Sequence, residues 1–321
     1  MLPDNSFEAD GSAAAQFQRE ASEATTMAIR TSEEAKTRTV EATSRRRSHE
    51  ESLRFLEDLR GYLARASDEK SRDTWQNQIH ALQNWLASEE YQSGDYPQGI
   101  DELVLELIEW RAMQHAFQYV ETNSKPFLEH AFYQQWLIGS TYAVSSLLGK
   151  LVGKSPGENS LRKLWWEVGK FVSRDGACTK VELKLIAELL DKGNGKFTNE
   201  NSRAMKFRNT VIAHNQKTLA LAWDEIDKDI QVLVRIWSIL VSWSSFGIIA
   251  PFRSAEQAFA GLERLFEAEE LTALKRKRKE YIDLAVGWTR THLHNGERDS
   301  GGSAFAQIVV TSHVLGTCTD A

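Results

Sequence analysis

The residues of this chain best suited to chemistry lie close together. Arg208, Asn209 and His214 fall within seven residues, separated only by Thr210, Val211, Ile212 and Ala213. A guanidinium is permanently cationic and forks onto a phosphate. An imidazole takes or gives a proton near neutrality. A carboxamide has no proton to transfer at neutral pH and acts through hydrogen bonds. Phosphodiester chemistry draws on all three, and Arg203, Lys206 and Lys217 add positive charge around them. The plain structural alternative is that Arg208 makes a helix-surface ion pair and that His214 sits at a helix C-terminus, where the macrodipole favours it.

The elements that must hold this stretch read as helices. A strongly apolar helix is expected over residues 127–152. Ser160 is placed to cap a helix carrying Leu164, Trp165, Val168 and Phe171 at helical spacing. A Leu-rich helix follows over 180–190, ended by the glycines of 192–196. Thr198 or Asn199 is the expected cap of the motif helix. Trp223 to about Phe246, with Ile226, Ile230, Leu233 and Trp237 in register, is the expected core helix. On an ideal helix, six positions turn about 600°, which sets Arg208 and His214 roughly 120° apart. The helix then ends near His214, or the two side chains line opposite sides of a cleft.

The run RNTVIAH at 208–214, followed by LAWDEIDKDI at 221–230, resembles the Arg–polar–His motif of the HEPN superfamily, and most closely its abortive-infection (AbiU-type) branch. The segments FYQQWLIGSTYAVSSLLGKL and SLRKLWWEVG look like that branch's first helices, so the resemblance covers roughly residues 100–250. It implies an all-α, HEPN-like helical bundle that works as a homodimer with paired motifs. The implied activity is metal-independent RNA cleavage in a toxin or phage-defence setting, with an antitoxin or defence-system partner. In that chemistry the substrate's own 2′-hydroxyl attacks the neighbouring phosphorus. His214 acts as base or acid, Arg208 faces the phosphorane charge, and Asn209 orients His214 or a phosphate oxygen. Arg203, Lys206 and Lys217 would bind the RNA backbone. The close AbiU-type pattern has a basic–acidic pair after the His, where this chain has Asn215 and Gln216. A catalytically idle RNA- or protein-binding module is the alternative.

Composition agrees with the class. Five prolines in 321 residues and long Glu/Lys/Leu/Ala-rich runs predict an all-α chain, and 41% apolar residues with ten Trp supply a sizeable core. Cys178 and Cys318 lie far apart without ligand spacing, so no disulfide framework, zinc site or cofactor is expected, and a reducing cytoplasm fits. Met1-Leu2-Pro3-Asp4 begins no signal peptide. The run 236–252 falls short of the ~20 apolar residues a membrane span needs and reads as a buried helix. A net charge of −6 attracts no polyanion globally, so nucleic-acid contact requires a local basic patch.

Beyond the motif region, residues 1–48 are poor in large apolar side chains and read as a disordered or loosely helical arm. Residues 49–95 read as a helical hairpin with Ser67 or Asp68 as the second cap, and 100–252 as the HEPN-like domain. A C-terminal helical extension over 253–294 contains two helices, Ala255–Ala268 and Thr272–Thr291, and a flexible tail runs over 295–321. The resemblance leaves the flanking helices unexplained; an inhibitory cover, a partner-docking arm and a target sensor are the options. Lys275 to Lys279 are five consecutive basic residues, read as solvated rather than as an RNA contact. His292 and His294 would point apart on a helix, so no metal site is expected there.

Overall fold

The computed structural model describes residues 29–45, 49–120, 131–155, 157–212, 221–244 and 252–298. The chain is all-α: no strand occurs among the described residues, only a single β-bridge between Thr291 and Arg298. The helices in order are α1 Ser32–Thr43, α2 His49–Arg65, α3 Glu69–Ala87, α4 Glu89–Ser93, α5 Ile100–Tyr119 and α6 Ala131–Leu151. They continue with α7 Leu161–Arg174, α8 Lys180–Leu189, α9 Arg203–Phe207 and a π-helical turn, Arg208–Ile212. Last come α10 Trp223–Ser244, α11 Ala255–Ala258, a 3₁₀ turn Leu262–Arg264, and α12 Ala268–Thr289. None of these helices is long and apolar enough to cross a membrane.

Helix α10 is the centre. Ile230, Leu233, Val234, Ile236, Trp237 and Leu240 are all fully buried, because α10 packs against α1, α7, α5 and α12 at once. A helix that is apolar nearly all round must be surrounded. Helix α7 shows the amphipathic case: Ser160 caps it by accepting from Lys163 N at 3.2 Å, and Leu161, Leu164, Trp165, Val168 and Phe171 face inward. Trp166, the next residue round, is 51% exposed.

Three Arg–carboxylate pairs pin the helices together: Arg235–Glu182 (α10 to α8), Arg111–Asp227 (α5 to α10) and Arg278–Glu109 (α12 to α5), all at 2.7–3.0 Å. Removing one partner from such a pair strands a buried charge, which costs roughly 3–5 kcal/mol.

Several boundaries differ from the sequence reading. Ser32–Thr43, expected inside a loose arm, is a core helix capped by Thr31. It buries Ala35, Thr39, Ala42 and Thr43, a stripe of small side chains that lets it lie close to α10 and α7. Residues 1–28 lie outside the described residues. The helix α12 is no extension: it packs along α5, and Tyr281, Ile282, Ala285 and Trp288 belong to the same core as α10. The expected helix Ala255–Ala268 is one turn, α11, followed by Gly261 at φ 85° and the 3₁₀ turn. A left-handed φ there interrupts the helix at little cost only for glycine. The basic run is divided by the helix geometry. Lys275, Arg276, Lys277 and Lys279 pair with carboxylates at the surface, whereas Arg278 turns inward to Glu109. The expected tail is hooked through residue 298, where His292 N donates to Glu297 O. Residues 299–321 lie outside the described ones. The hairpin is as expected, with Asp68 as the cap accepting from Ser71 N at 2.8 Å.

Candidate functional site

A loop and two helices hold the motif. After α8, the Asp191 carboxylate accepts from the backbone N–H groups of Asn194 and Gly193, which hold it below the usual carboxylate range. Asn201 Nδ2 donates to the carbonyls of Asn194 and Gly195 at 3.1 and 2.9 Å, so the loop is closed on itself. Ser202, rather than Thr198 or Asn199, caps α9: its Oγ accepts from Met205 N and donates to Asp229 Oδ2 at 2.6 Å. Thr198 instead accepts from Asn201 N in the preceding turn. One hydroxyl therefore starts the motif helix and ties it to α10.

From Arg208 the backbone leaves the α-helix and makes a π-helical turn over Arg208–Ile212. Such turns widen a helix locally and recur at functional sites. The angular spacing of an ideal α-helix therefore does not apply across the motif. His214 and Lys217 lie outside the described residues.

Arg208 is half-buried. Its side chain crosses α6 at Gly149, where a Cβ would fall 2.9 Å from the guanidinium carbon and closer still to Nε. Only glycine leaves that passage open. Arg208 Nη1 donates to Asn209 Oδ1 at 3.1 Å, and Asn209 Nδ2 donates to Asn199 Oδ1 at 2.6 Å. The arginine donor fixes the amide's orientation, so Asn209 positions Arg208. The other guanidinium N–H groups have no protein acceptor among the described residues.

A cavity of about 470 Å³ lies alongside, lined by Lys196, Asn199, Arg203, Lys206 and Lys228 together with Glu200, Glu225 and Asp229. Lys196 is paired with Asp229 at 2.8 Å, while Arg203 meets Glu225 only at 3.5 Å in an exposed pair worth at most about 1 kcal/mol. Lys206 and Lys228 make no ion pair among the described residues. Burial raises the Asp229 carboxyl above its ordinary value, although Lys196 and Ser202 pull it down. The cavity thus offers two uncommitted ammonium groups and an adjacent guanidinium to an anion. Sequence reasoning had Arg203 and Lys206 here but missed Lys196, Lys228, Asn199 and Gly149 as site residues. A glycine inside an apolar helix was the one available signal for the last.

The tryptophans Trp136, Trp165 and Trp237 offer no exposed apolar surface for a dimer. Trp165 and Trp237 are 3% and 0% exposed core residues, and Trp136 packs on Phe117. Exposed apolar side chains near the motif are instead Ile138 and Tyr142 on α6, one turn apart. The Tyr142 ring lies 5.8 Å from Phe207, the residue before Arg208.

A second polar cluster overturns the expectation for the two C-terminal histidines. The helix stops at Thr289, so His292 and His294 lie on the hook, with ring centroids 5.3 Å apart. Together with buried Glu182, their ligand atoms lie within 4.8 Å of one another. The carboxylate, however, is committed. Glu182 accepts from Arg235 Nε and Nη2 at 2.9 and 3.0 Å, from Leu293 N at 3.2 Å and from His292 Nδ1 at 2.7 Å. A dication there would sit beside a fixed guanidinium. This donor set suits a structural staple far better than a metal.

Compared with protein-family models, with curated proteins and with solved structures, the chain gives no match.

Proposed function

We propose that this chain is a metal-independent endoribonuclease of HEPN type, acting as a homodimer with paired motifs. The carrying observation is the half-buried Arg208, held by Asn209 and passing Gly149 with most of its donors free among the described residues, beside a cavity where Lys206 and Lys228 have no ion-pair partner among those residues. A guanidinium held in place before the reaction stabilises charge that develops on a phosphorane, an effect worth about 10²- to 10³-fold per donor. The lysines take the flanking phosphates, with Arg203 beside them, and Lys217 is a further candidate contact to the RNA backbone.

The reaction runs by attack of the 2′-oxygen on the adjacent phosphorus. The 2′-oxygen–phosphorus bond forms as the 2′-hydroxyl proton passes to a general base. The bond to the 5′-oxygen breaks as a general acid protonates that leaving group. His214 takes one role and the partner's imidazole the other, each positioned group contributing roughly 10²- to 10⁴-fold. The exposed Ile138 and Tyr142 beside Phe207 favour a dimer seated on this face of α6. The same activity fits a toxin or phage-defence effector restrained by an antitoxin or another defence partner.

The test uses purified full-length protein with total RNA in EDTA. Expected are fragments ending in 2′,3′-cyclic phosphate, lost in His214→Ala and Arg208→Lys while the melting temperature stays within about 1 °C. If both variants cleave like the wild type, the motif is not the active site. A wild type that binds RNA without cutting it would favour the idle-module alternative.

A further inference from the structure

A second cavity, of about 370 Å³, opens where α5, α12 and the first turns of α10 meet. Its floor is fixed. The buried Arg111 guanidinium lies 4.9 Å from the centroids of both the Trp223 and the Tyr281 ring and forks onto Asp227. Asp227 also accepts from Tyr281 Oη at 2.7 Å. On that floor stands His115, its ring centroid 5.4 Å from that of Tyr281 and 4.7 Å from that of Tyr119. Tyr119 and Leu284 also line the cavity, and both are about half exposed.

The groups left over in this cavity are few and specific. The charges of Arg111 and Asp227 cancel, and Lys277 is paired with Glu280 at 2.9 Å. Burial, helped by the Arg111 charge, pushes the His115 imidazole below its ordinary range against the pull of Asp227 and Glu280, so the ring is neutral at neutral pH. One charge remains. The exposed Asp224 carboxylate has no hydrogen bond or ion pair among the described residues, and neither do the His115 ring nitrogens or the Tyr119 hydroxyl. Two acceptor oxygens thus stand beside aromatic faces, which suits a flat ring with adjacent N–H donors on one edge. Among the nucleobases only guanine has two such donors side by side, N1–H and N2–H, and they fork onto a carboxylate as a guanidinium does. Adenine and cytosine set an acceptor beside their donor, and it faces the carboxylate unfavourably. The volume is that of a small ligand site and more than one amino-acid side chain fills.

We propose that this cavity binds a guanine nucleotide: the base stacks on Tyr119 and His115, N1–H and N2–H donate to Asp224, and Lys228 takes the phosphate. Lys228 stands one turn after Asp224 on α10, with Cβ atoms about 5–6 Å apart, and lines the motif cavity on the other side. Its long, flexible arm spans the remaining distance from base to phosphate. Stacking on aromatic side chains with hydrogen bonds along the Watson–Crick edge is how unpaired bases are read. An arginine of a partner protein would also fork onto Asp224, but Lys228 repels it. The nucleotide is a guanosine of an RNA that reaches the motif, or a free mononucleotide. Only the first source rests on the RNA-cleavage reading.

The test measures binding to the full chain by titration calorimetry, so a motif that proves inert in cleavage leaves the result standing. GMP should bind at least tenfold more tightly than AMP, CMP or UMP. Asp224→Asn, which turns one acceptor into a donor, should weaken GMP at least tenfold, and Tyr119→Ala should do the same. Lys228→Ala should bring GMP down to the affinity of guanosine while guanosine itself is unchanged, a split that a structural role would not produce. All of these positions are exposed, so the variants fold. The source is assigned with a 2′-O-methyl nonamer bearing one central G and its all-U counterpart, which lack the attacking hydroxyl. Tighter binding of the G-bearing strand than of both GMP and the all-U strand marks an RNA subsite, and tighter binding of GMP marks a free nucleotide. Absence of GMP binding, equal affinity for the four mononucleotides, or full GMP affinity in Asp224→Asn overturns the proposal. So does displacement of GMP by L-argininamide at equal concentration, which would make the cavity a seat for a partner's arginine.

Discussion

Two arginine clusters in this molecule share residue types and differ in what is left over. At the α8–α10–hook junction, Arg235 faces Glu182 and His292, and the carboxylate's acceptor sites are filled by Arg235, His292 and Leu293. At the motif, Arg208 makes one hydrogen bond to Asn209, in a π-helical turn beside a cavity with two lysines that are unpaired among the described residues. The first cluster is complete as it stands, and the second leaves donors uncommitted among the described residues. Hydrogen-bonding capacity left uncommitted in a half-buried place, more than the identity of the residues, separates a candidate site from a staple.

The comparison breaks most visibly at the staple. Arg235→Ala leaves the fully buried Glu182 carboxylate facing His292, a backbone N–H and the Cys178 thiol at 3.9 Å, so a loss of roughly 3–5 kcal/mol is expected. For a chain of this size that lowers the melting temperature on the order of 10 °C. Cleavage per folded molecule, assayed well below the transition, should be unchanged. A near-silent Arg235→Ala in thermal unfolding would show that the cluster is not a staple. The motif should behave in the opposite way. Arg208→Lys keeps the charge but not the planar fork, so cleavage should fall about 10²- to 10³-fold. The melting temperature should hardly move, because the residue is half-buried with one short-range hydrogen bond. If Arg208→Lys unfolds the protein instead, the motif arginine is structural.

These two clusters were legible in the sequence to very different degrees. Arg208, Asn209 and His214 stand within seven residues, so local spacing exposed the motif, and the helical spacing of apolar residues in α7 and α10 gave the helices around it. Glu182, Arg235 and His292 are spread over more than a hundred residues, and no local pattern joins them. His292 and His294 looked divergent because a continuing helix was assumed, and the chain instead leaves α12 at Thr289. The helix α1 was missed for another reason. Its buried stripe is Ala and Thr, and a search for large apolar side chains at helical spacing does not register small residues that bring backbones close. The π-helical turn at the motif was also invisible, since no residue type demands one.

Gly149 sharpens the motif side of the comparison. A methyl group there occupies the path of the Arg208 side chain, so Gly149→Ala should displace the guanidinium without touching its chemistry. Misplacement of about 1 Å costs up to 10²-fold, and a loss of tenfold or more in cleavage is expected. Alanine in a helix is favoured over glycine by roughly 0.5–1 kcal/mol, so stability should be kept or slightly raised. Full activity in this variant would mean that Arg208 does not work from the position it holds across α6.

The smallest expected effect is in pH dependence, where the two regions carry opposite signs. Burial pushes the Glu182 carboxyl up, but hydrogen bonds from Arg235 and His292 outweigh it, so Glu182 titrates below the ordinary 4.5. A carboxyl depressed by folding stabilises fully above its unfolded value, and that contribution fades as pH falls through the folded one. Asp229, beside the motif, is the reverse: burial dominates and its carboxyl titrates above the ordinary 3.8. The folded state holds that proton more tightly than the unfolded chain, so the contribution is fully present below 3.8 and is lost as pH rises through the raised folded value. On acidification from neutrality, Asp229→Asn should therefore remove a stabilising component just above pH 3.8, leaving a steeper fall in melting temperature than in the wild type. Glu182→Gln should do the opposite below pH 4.5, flattening the acid limb while lowering stability at neutral pH. Melting temperatures of the three proteins between pH 3 and 7 measure both. If the Asp229→Asn curve runs parallel to the wild type throughout, burial does not raise the Asp229 carboxyl. Its pairing with Lys196 would then be the stronger influence, leaving Lys196 less able to turn toward an anion in the cavity.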